Sequence, residues 1–148
     1  PHVNFFIQKV SVPFLTLKEA PSPNPLINIP FPGEHLKYGD LQITFKIDEA
    51  MQNYLEVHNW IRALGKPVTT DEYLDISTKP SWTGDGIYSD ISLSILSNIK
   101  TMNYDITFVD AYPVTLSSIS FDTTSTDVNY LVATATFKFT YFNIERTV

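Results

Sequence analysis

The residues best suited to metal or acid–base chemistry are few and widely separated in this chain. It has three histidines and no cysteine, so thiolate metal sites and disulfides are both excluded. None of the histidines has the spacing of a metal-binding motif; they are His2, His35 and His58. We therefore expect no metal site, and we interpret His58 as a surface or hydrogen-bonded histidine at the edge of a helical apolar stripe.

The acidic, serine and glycine residues also lack a catalytic arrangement. The adjacent pairs Asp48-Glu49 and Asp71-Glu72 do not form an acid–base pair by themselves, because neighbouring side chains point in different directions. No serine lies in a GxSxG nucleophile elbow. The five glycines form no phosphate-binding loop. The sequence thus predicts a protein that is not an enzyme and that needs no cofactor.

The composition indicates one globular domain spanning residues 1–148. Hydrophobic residues make up 43% of the chain and aromatic residues 14%, enough to build a core. No apolar run approaches the length of a membrane span, and no signal-peptide pattern is present. The net charge of −6 argues against tight binding of nucleic acid, although it is also what solubility alone would favour.

The clearest predicted element is an amphipathic helix from Glu49 to Leu64. Asp48 is placed to cap its N-terminus, and Glu49 would lie in the first turn, where the helix dipole favours negative charge. Gly65 and Pro67 then end the helix. The three- and four-residue spacing predicts a buried stripe with Met51 and Trp60 on its flank; the stripe is Tyr54, Val57, Ile61 and Leu64.

Most of the remaining chain alternates apolar and polar residues, as β-strands with one buried face do. The predicted strands are Leu41 to Ile47, Ser89 to Leu96, Tyr104 to Val109, Val114 to Phe121 and Asn129 to Asn143. A bulge near Ser117-Ser118 would keep the fourth of these in register. Val3 to Val12 is apolar on both faces, which indicates a strand buried on both sides or lying at an interface.

Two segments interrupt this pattern. Residues 21–32 contain five prolines, which exclude a helix or central strand and predict an extended arm lying on a surface. Residues 68–88 are polar and rich in turn residues, which predicts a long exposed loop or hairpin. Trp82 in this loop either packs back onto the domain or contacts a partner. The order of elements predicts an antiparallel β-sandwich or half-barrel with one flanking α-helix.

Several segments together resemble the tail-tube and baseplate-tube proteins of contractile-tailed, T4-like bacteriophages. The helix region DEAMQNYLEVHNWIRALGKP resembles theirs in its acidic first turn, its Asn53-Tyr54 pair and the Trp60 that follows. The preceding IPFPGEHLKYGDLQITFKI resembles their Pro/Gly turn and first core strand. The closing strands of that family resemble YSDISLSILSN, YDITFVDAYPVTLSSISFD and VNYLVATATFKFTYFNI.

This resemblance implies a mainly β, ring-forming structural protein of the phage virion, assembled in the host cytoplasm. Six copies would form a ring whose strands join into a barrel, and rings would stack into a tube or its baseplate or terminal junction. Double-stranded DNA would pass through the lumen without specific binding. The other implied partners are tail proteins of the tube, sheath or baseplate, with no membrane contact.

Candidate assembly residues follow from combining this resemblance with the pattern. We expect the arm and the loop to contact neighbouring subunits through Phe31, Trp82, Pro23 and Pro25. Polar strand faces suit a lumen, and the candidates are Gln42, Thr44, Lys46, Thr134, Thr136, Lys138 and Thr140. Since Lys46 and Lys138 would attract phosphate, we expect acidic neighbours such as Asp90 to offset them.

A second class of function fits the same residues. A non-enzymatic β-sandwich that binds a ligand or carbohydrate would use its Tyr, Trp and Phe side chains as binding platforms. It would present an open concave cavity and would form no ring.

Overall fold

The chain forms two packed antiparallel sheets, a helix at their side and a hairpin that stands apart from them. The computed structural model describes residues 6–65, 70–79, 86–124 and 130–147. Within these ranges the elements are β1 (Phe6–Ser11), β2 (Leu15–Ser22), β3 (Ile29–Tyr38), β4 (Leu41–Lys46), α1 (Gln52–Gly65), α2 (Asp71–Ser77), β5 (Ser89–Leu96), β6 (Met102–Leu116), β7 (Val132–Lys138) and β8 (Tyr141–Arg146). The predicted mainly β, antiparallel half-barrel is confirmed.

The long strand β6 belongs to both layers. Its first part, Met102–Ala111, lies between β5 and β8. Its second part, Tyr112–Leu116, pairs with β7, which pairs with β4, which pairs with β1. We call the second group, β1-β4-β7-β6, sheet I, and the first group, β5-β6-β8, sheet II.

A bend at Asp110 carries β6 from one sheet to the other. Asp110 has a positive φ of 54°, and the register between β5 and β6 shifts at this point, as in a β-bulge. The Asp110 backbone N–H donates to Asp90 Oδ1 at 3.1 Å. On the other side, Thr140 N–H donates to the Val109 carbonyl at 3.0 Å, which keeps the ladder intact across the break between β7 and β8.

The core lies between the two sheets. Alternation places Leu41, Ile43 and Phe45 of β4 inside, each at most 3% exposed. Ala133, Ala135 and Phe137 of β7 and Ile106 and Phe108 of β6 share this core with Val57 and Trp60 of α1. The predicted core face of β4 is therefore confirmed.

Helix α1 begins later than the sequence predicted. Met51 has a φ of 55°, and the turn that precedes it is closed by its N–H donating to the Asp48 carbonyl at 2.9 Å. Glu49 therefore lies before the helix. Asp48 still contacts the helix start, accepting from Asn53 N–H at a long 3.4 Å. The buried residues are Asn53, Val57 and Trp60, while Tyr54, Ile61 and Leu64 are half-buried beside the core.

Three strand predictions differ from the structure. The predicted last strand, Asn129 to Asn143, is divided into β7 and β8 by Phe139 and Thr140. The predicted strand Val114 to Phe121 ends at Leu116, so no bulge is needed at Ser117-Ser118. Strand β1 lies at the edge of sheet I, with Ile7 43% exposed, and is not covered on both faces within the single chain.

The proline-rich arm and the polar loop also have more structure than expected. Much of the arm lies in the hairpin β2–β3, a separate two-stranded sheet. Prolines fit there because each strand of a two-stranded sheet needs only half of its backbone donors. Residues 71–77 of the predicted loop form α2, a second helix, which the sequence did not predict.

Candidate assembly surfaces

The face of sheet I that points away from the core carries almost all of the predicted lumen residues. Thr44 pairs with Thr134 and Gln42 with Thr136, so these four share one face, and Lys46 and Lys138 alternate onto it. Three further residues lie on the same face through their pairings: Lys9, Ser11 and Thr115. We call these nine residues the polar face of sheet I.

Local contacts hold this face in place. Thr44 Oγ1 and Thr134 Oγ1 are 3.1 Å apart, and Thr134 N–H donates to Ser117 Oγ at 2.9 Å. The Lys46 ammonium lies 3.0 Å from the centroid of the Tyr130 ring. Thr134 and Thr136 are half-buried and outside the core. Thr140, by contrast, lies in the break between β7 and β8 and does not extend the face.

The acidic residue near Lys138 is Asp40 and not the expected Asp90. Asp90 accepts the backbone N–H of Asp110 at the bend of β6. Asp40 Oδ1 lies 3.9 Å from Lys138 Nζ, with both side chains about half exposed. An ion pair this open is weak. The local charge of Lys138 is thus only partly offset, and the expectation for Asp90 is not met.

The hairpin β2–β3 presents apolar side chains to solvent. All of its strand residues are exposed except Ser22, Gly33 and Tyr38. Tyr38 anchors its base, with its ring centroid 5.8 Å from that of Phe139 and 5.6 Å from that of Phe142. The exposed apolar residues are Leu15, Leu17, Leu26, Ile27, Ile29, Phe31 and Leu36.

Of the predicted interface residues, three lie in this hairpin and one cannot be placed. Pro23 and Pro25 lie in the exposed connection between the strands, and Phe31 is 53% exposed on β3. Phe31 pairs with Ala20. Trp82 lies outside the described residues. Leu26, an apolar residue of the predicted arm, is 93% exposed at the tip of the hairpin.

Two depressions mark the lateral edges of the sandwich. A cleft of about 250 Å³ lies between β1 and β5, with apolar walls and the polar residues Ser89, Asp90 and Ser92. An open groove of about 430 Å³ runs between α1 and the end of β6, lined by Tyr54, His58, Ile61, Arg62, Val114, Thr115 and Leu116. Val114 is 42% exposed in this groove.

The part of the chain that the structure describes contains no group of three or more His, Asp or Glu side chains placed to hold a metal ion. Hydrogen bonds from the Thr124 hydroxyl and backbone N–H lower the pKa of Asp122. His58 is exposed beside Asn59, as expected of a surface histidine. Neither described helix has the length and apolar character needed to cross a membrane.

The sequence is similar to that of a known phage tail protein. The tail tube terminator protein of Enterobacteria phage T4 is 32% identical over 116 residues, which is 78% of this chain. The chain spans 61% of the length of that relative. No protein-family profile matches the sequence.

Solved structures of contractile systems share the fold. The tube-terminating cap of the anti-feeding prophage superposes with a TM-score of 0.66 at 16% identity, over 98% of this chain and 82% of that one. The sheath–tube complex of the PVC extracellular contractile injection system gives 0.64 at 15% identity, over 95% and 81%. The PVC sheath/tube terminator gives 0.59 at 17% identity, over 94% and 84%.

These likenesses agree with the mainly β fold described above. The sequence relative is named for the end of a tail tube, and the structures come from tubes and their caps. The predicted resemblance is confirmed: this chain is similar to the tail tube terminator of a contractile-tailed phage and shares the fold of tube and cap proteins of contractile systems.

Proposed function

We propose that the protein is a structural virion subunit that forms a hexameric ring at the end of a contractile phage tail tube. The ring would provide a channel through which double-stranded DNA passes. The match to a tube terminator and the likeness to a tube-terminating cap support the position at the tube end. The number six and the DNA channel come from the family resemblance.

The open edges of sheet I are the observation that carries the ring. Within the described residues, β1 pairs only with β4, and Tyr112–Leu116 of β6 pairs only with β7. Both lateral edges of this sheet therefore offer unpaired backbone groups, which natural proteins usually cover.

The strand directions of sheet I suit closure by rotation. Its four strands alternate in direction, so β1 and β6 run oppositely. Rotation about an axis along the strands leaves each direction unchanged. The β6 edge of one copy would thus meet the β1 edge of the next in an antiparallel pair, a head-to-tail contact that closes a ring. The groove beside β6 would receive side chains of the added strand.

The hairpin β2–β3 supports contact with neighbouring subunits outside this sheet. An isolated two-stranded hairpin is marginally stable in water, and this one leaves most of its apolar residues uncovered. A neighbour in the same ring or in an adjacent tail protein would bury Leu26, Ile27 and Phe31. This interface would also include Pro23 and Pro25.

Assembly with a matched pair of substitutions tests the ring. Val114→Asp places a carboxylate at the free β6 edge, where strand pairing would desolvate it. Ile144→Asp changes a similar exposed residue of β8, outside sheet I. Mass photometry and electron microscopy of the particles, assembled with the other tail proteins, should show hexamers for the wild type and Ile144→Asp, and monomers for Val114→Asp.

Equal rings from both variants would show that the β6 edge is not the contact. A wild-type protein that stays monomeric with its tail partners and binds a saccharide in the cleft between β1 and β5 would instead support the ligand-binding alternative.

A further inference from the structure

The two outer faces of the sandwich carry opposite charge. The polar face of sheet I holds Lys9, Lys46 and Lys138, three of the ten basic residues in the chain, and none of its described positions is acidic. The outward face of sheet II is defined by the paired rows Ser92–Thr107–Asn143 and Ser94–Asp105–Glu145, with Asp90 beside them. That face carries three carboxylates and no lysine or arginine.

This separation contrasts with the net charge of −6 of the whole chain. Acidic residues outnumber basic ones by sixteen to ten overall, yet the polar face of sheet I reverses the sign. The strand register determines which side chains lie on each face of a sheet. A shift by one residue would turn the lysines into the core and the core residues outward. The lysines are therefore fixed on this face by the same pairing that builds the core.

The lysines lie at both ends of the face, with hydroxyl and amide groups between them. Lys9 pairs with Thr44, two residues before Lys46 on β4, so these two lysines are diagonal neighbours. Lys46 pairs with Val132 of β7, and Lys138 lies six residues further along the same strand. At the rise of an extended strand, Lys46 and Lys138 are therefore about 20 Å apart along the strand direction. Duplex DNA carries about one negative charge per 1.7 Å of its axis, both strands counted. The length of duplex lying along this face would therefore carry on the order of ten phosphates.

The neutralisation of these lysines within the chain is incomplete. Lys138 and Asp40 approach only to 3.9 Å, at half-exposed positions. Lys46 contacts the face of Tyr130, which leaves its positive charge in place. Lys9 is exposed on the edge strand.

We propose that the polar face of sheet I binds the phosphate backbone of double-stranded DNA, without regard to sequence, through Lys9, Lys46 and Lys138. The position of this face in a channel rests on the proposed ring, whereas its affinity for DNA is a property of the chain alone. In a ring, the face forms a band of positive charge that holds the DNA in the channel, while the threonine and glutamine side chains between the lysines let it slide. The acidic faces of sheet II keep the DNA from binding elsewhere.

The test compares two charge-matched triple variants. Lys9, Lys46 and Lys138 are changed to Gln in the first, and Lys79, Lys100 and Arg146 in the second, so both lose the same charge. Each is titrated against a short fluorescent DNA duplex at several salt concentrations, and fluorescence anisotropy reports binding. Mass photometry of the same samples reports the state of assembly.

For the wild type and the second variant, the logarithm of the binding constant plotted against the logarithm of the salt concentration should have a slope of about −2 to −3 per subunit. Each phosphate that a lysine neutralises contributes about −0.9 to this slope. K9Q/K46Q/K138Q should lose about tenfold or more in affinity at low salt, and its salt dependence should approach zero. Absence of binding by the wild type at low salt, or equal loss in both variants, would overturn the proposal. So would tighter binding of polyglutamate than of the duplex, which would indicate an acidic protein segment as the partner.

The assembly readout separates this inference from the proposed function. If the protein forms rings but does not bind the duplex, the proposed DNA-binding face is wrong and the proposed ring stands. If it binds the duplex but forms no rings, the proposed ring is wrong and the DNA-binding face stands.

Discussion

At the scale of single residues, α1 is fixed to the sheets by one buried amide and one buried apolar stripe. Asn53 is 6% exposed, and its Nδ2 donates to the Lys46 carbonyl at 2.8 Å, just where β4 ends. Val57 and Trp60 follow on the same side, and Trp60 Nε1 donates to the Ile87 carbonyl at 3.3 Å. The buried stripe is thus rotated from the predicted one, with Asn53 and Trp60 beside Val57 at its centre and Tyr54, Ile61 and Leu64 at its edge.

Replacing Asn53 with Ala should lower the free energy of unfolding by about 1–3 kcal/mol, because the Lys46 carbonyl is left without its buried donor. Asn59→Ala is the matched control, since Asn59 is exposed on the same helix and should change stability by less than about 0.5 kcal/mol. Urea denaturation followed by circular dichroism measures both. Equal stabilities would show that the Asn53 hydrogen bond contributes nothing to the helix position.

Val57→Asp should be far more damaging, because Val57 is 0% exposed at the centre of the core. An unpaired carboxylate there should cost about 3 kcal/mol or more and lower the yield of folded protein. Leu55→Asp, at a position 46% exposed on the same helix, should fold normally. A Val57→Asp protein as stable as the wild type in thermal denaturation would remove α1 from the core.

At the scale of elements, the hairpin β2–β3 depends on one glycine. The register of the two strands shifts between Leu17 and Glu19, and Gly33 lies opposite this irregularity. A Cβ on Gly33 would overlap the carbonyl oxygen of Lys18, so any other side chain would push the strands apart. The hairpin contributes none of the buried core residues, and its loss should therefore leave the core folded.

Gly33→Ala should abolish the protection of the β2 and β3 amides in hydrogen-exchange mass spectrometry, while the melting temperature of the core stays unchanged. Gly65→Ala is the control, because nothing lies within 4 Å of a Cβ added at that helix end. If the hairpin is an assembly element, the Gly33→Ala protein should also fail to join its tail partners. Unchanged protection in the hairpin would show that the strands tolerate the displacement.

At the scale of the whole molecule, the two faces of the sandwich differ in their expected tasks. The polar face of sheet I would point into the channel, and the acidic face of sheet II would point away from it. Added positive charge should therefore affect DNA passage only on the first face, because phosphate contacts form where the duplex runs.

Thr134→Arg with Thr136→Arg should permit assembly of the particle but slow the ejection of DNA, since two more cations per subunit strengthen phosphate contacts. Ser92→Arg with Ser94→Arg adds the same charge on the opposite face and should leave the ejection rate unchanged. A fluorescence assay of DNA release from assembled particles gives both rates. A slower rate in the control pair alone would reverse the assignment of the faces.

The sequence by itself determined the features that depend on near neighbours. Alternation in β4 and β7 established which side chains enter the core, because a strand turns every second residue to the same face. The order of the elements indicated the fold class. The resemblance of several weak motifs in the right order led to the correct kind of protein.

The tertiary structure alone decided which strands meet. The pairing of β1 with β4 and the shared use of β6 join residues that are far apart in the chain, and alternation is the same for every possible partner. The bend at Asp110 and the break at Phe139 and Thr140 divide two long strands between two sheets, because a flat ribbon could not cover both sides of one core. That division is what gathers three lysines on one face and three carboxylates on the other.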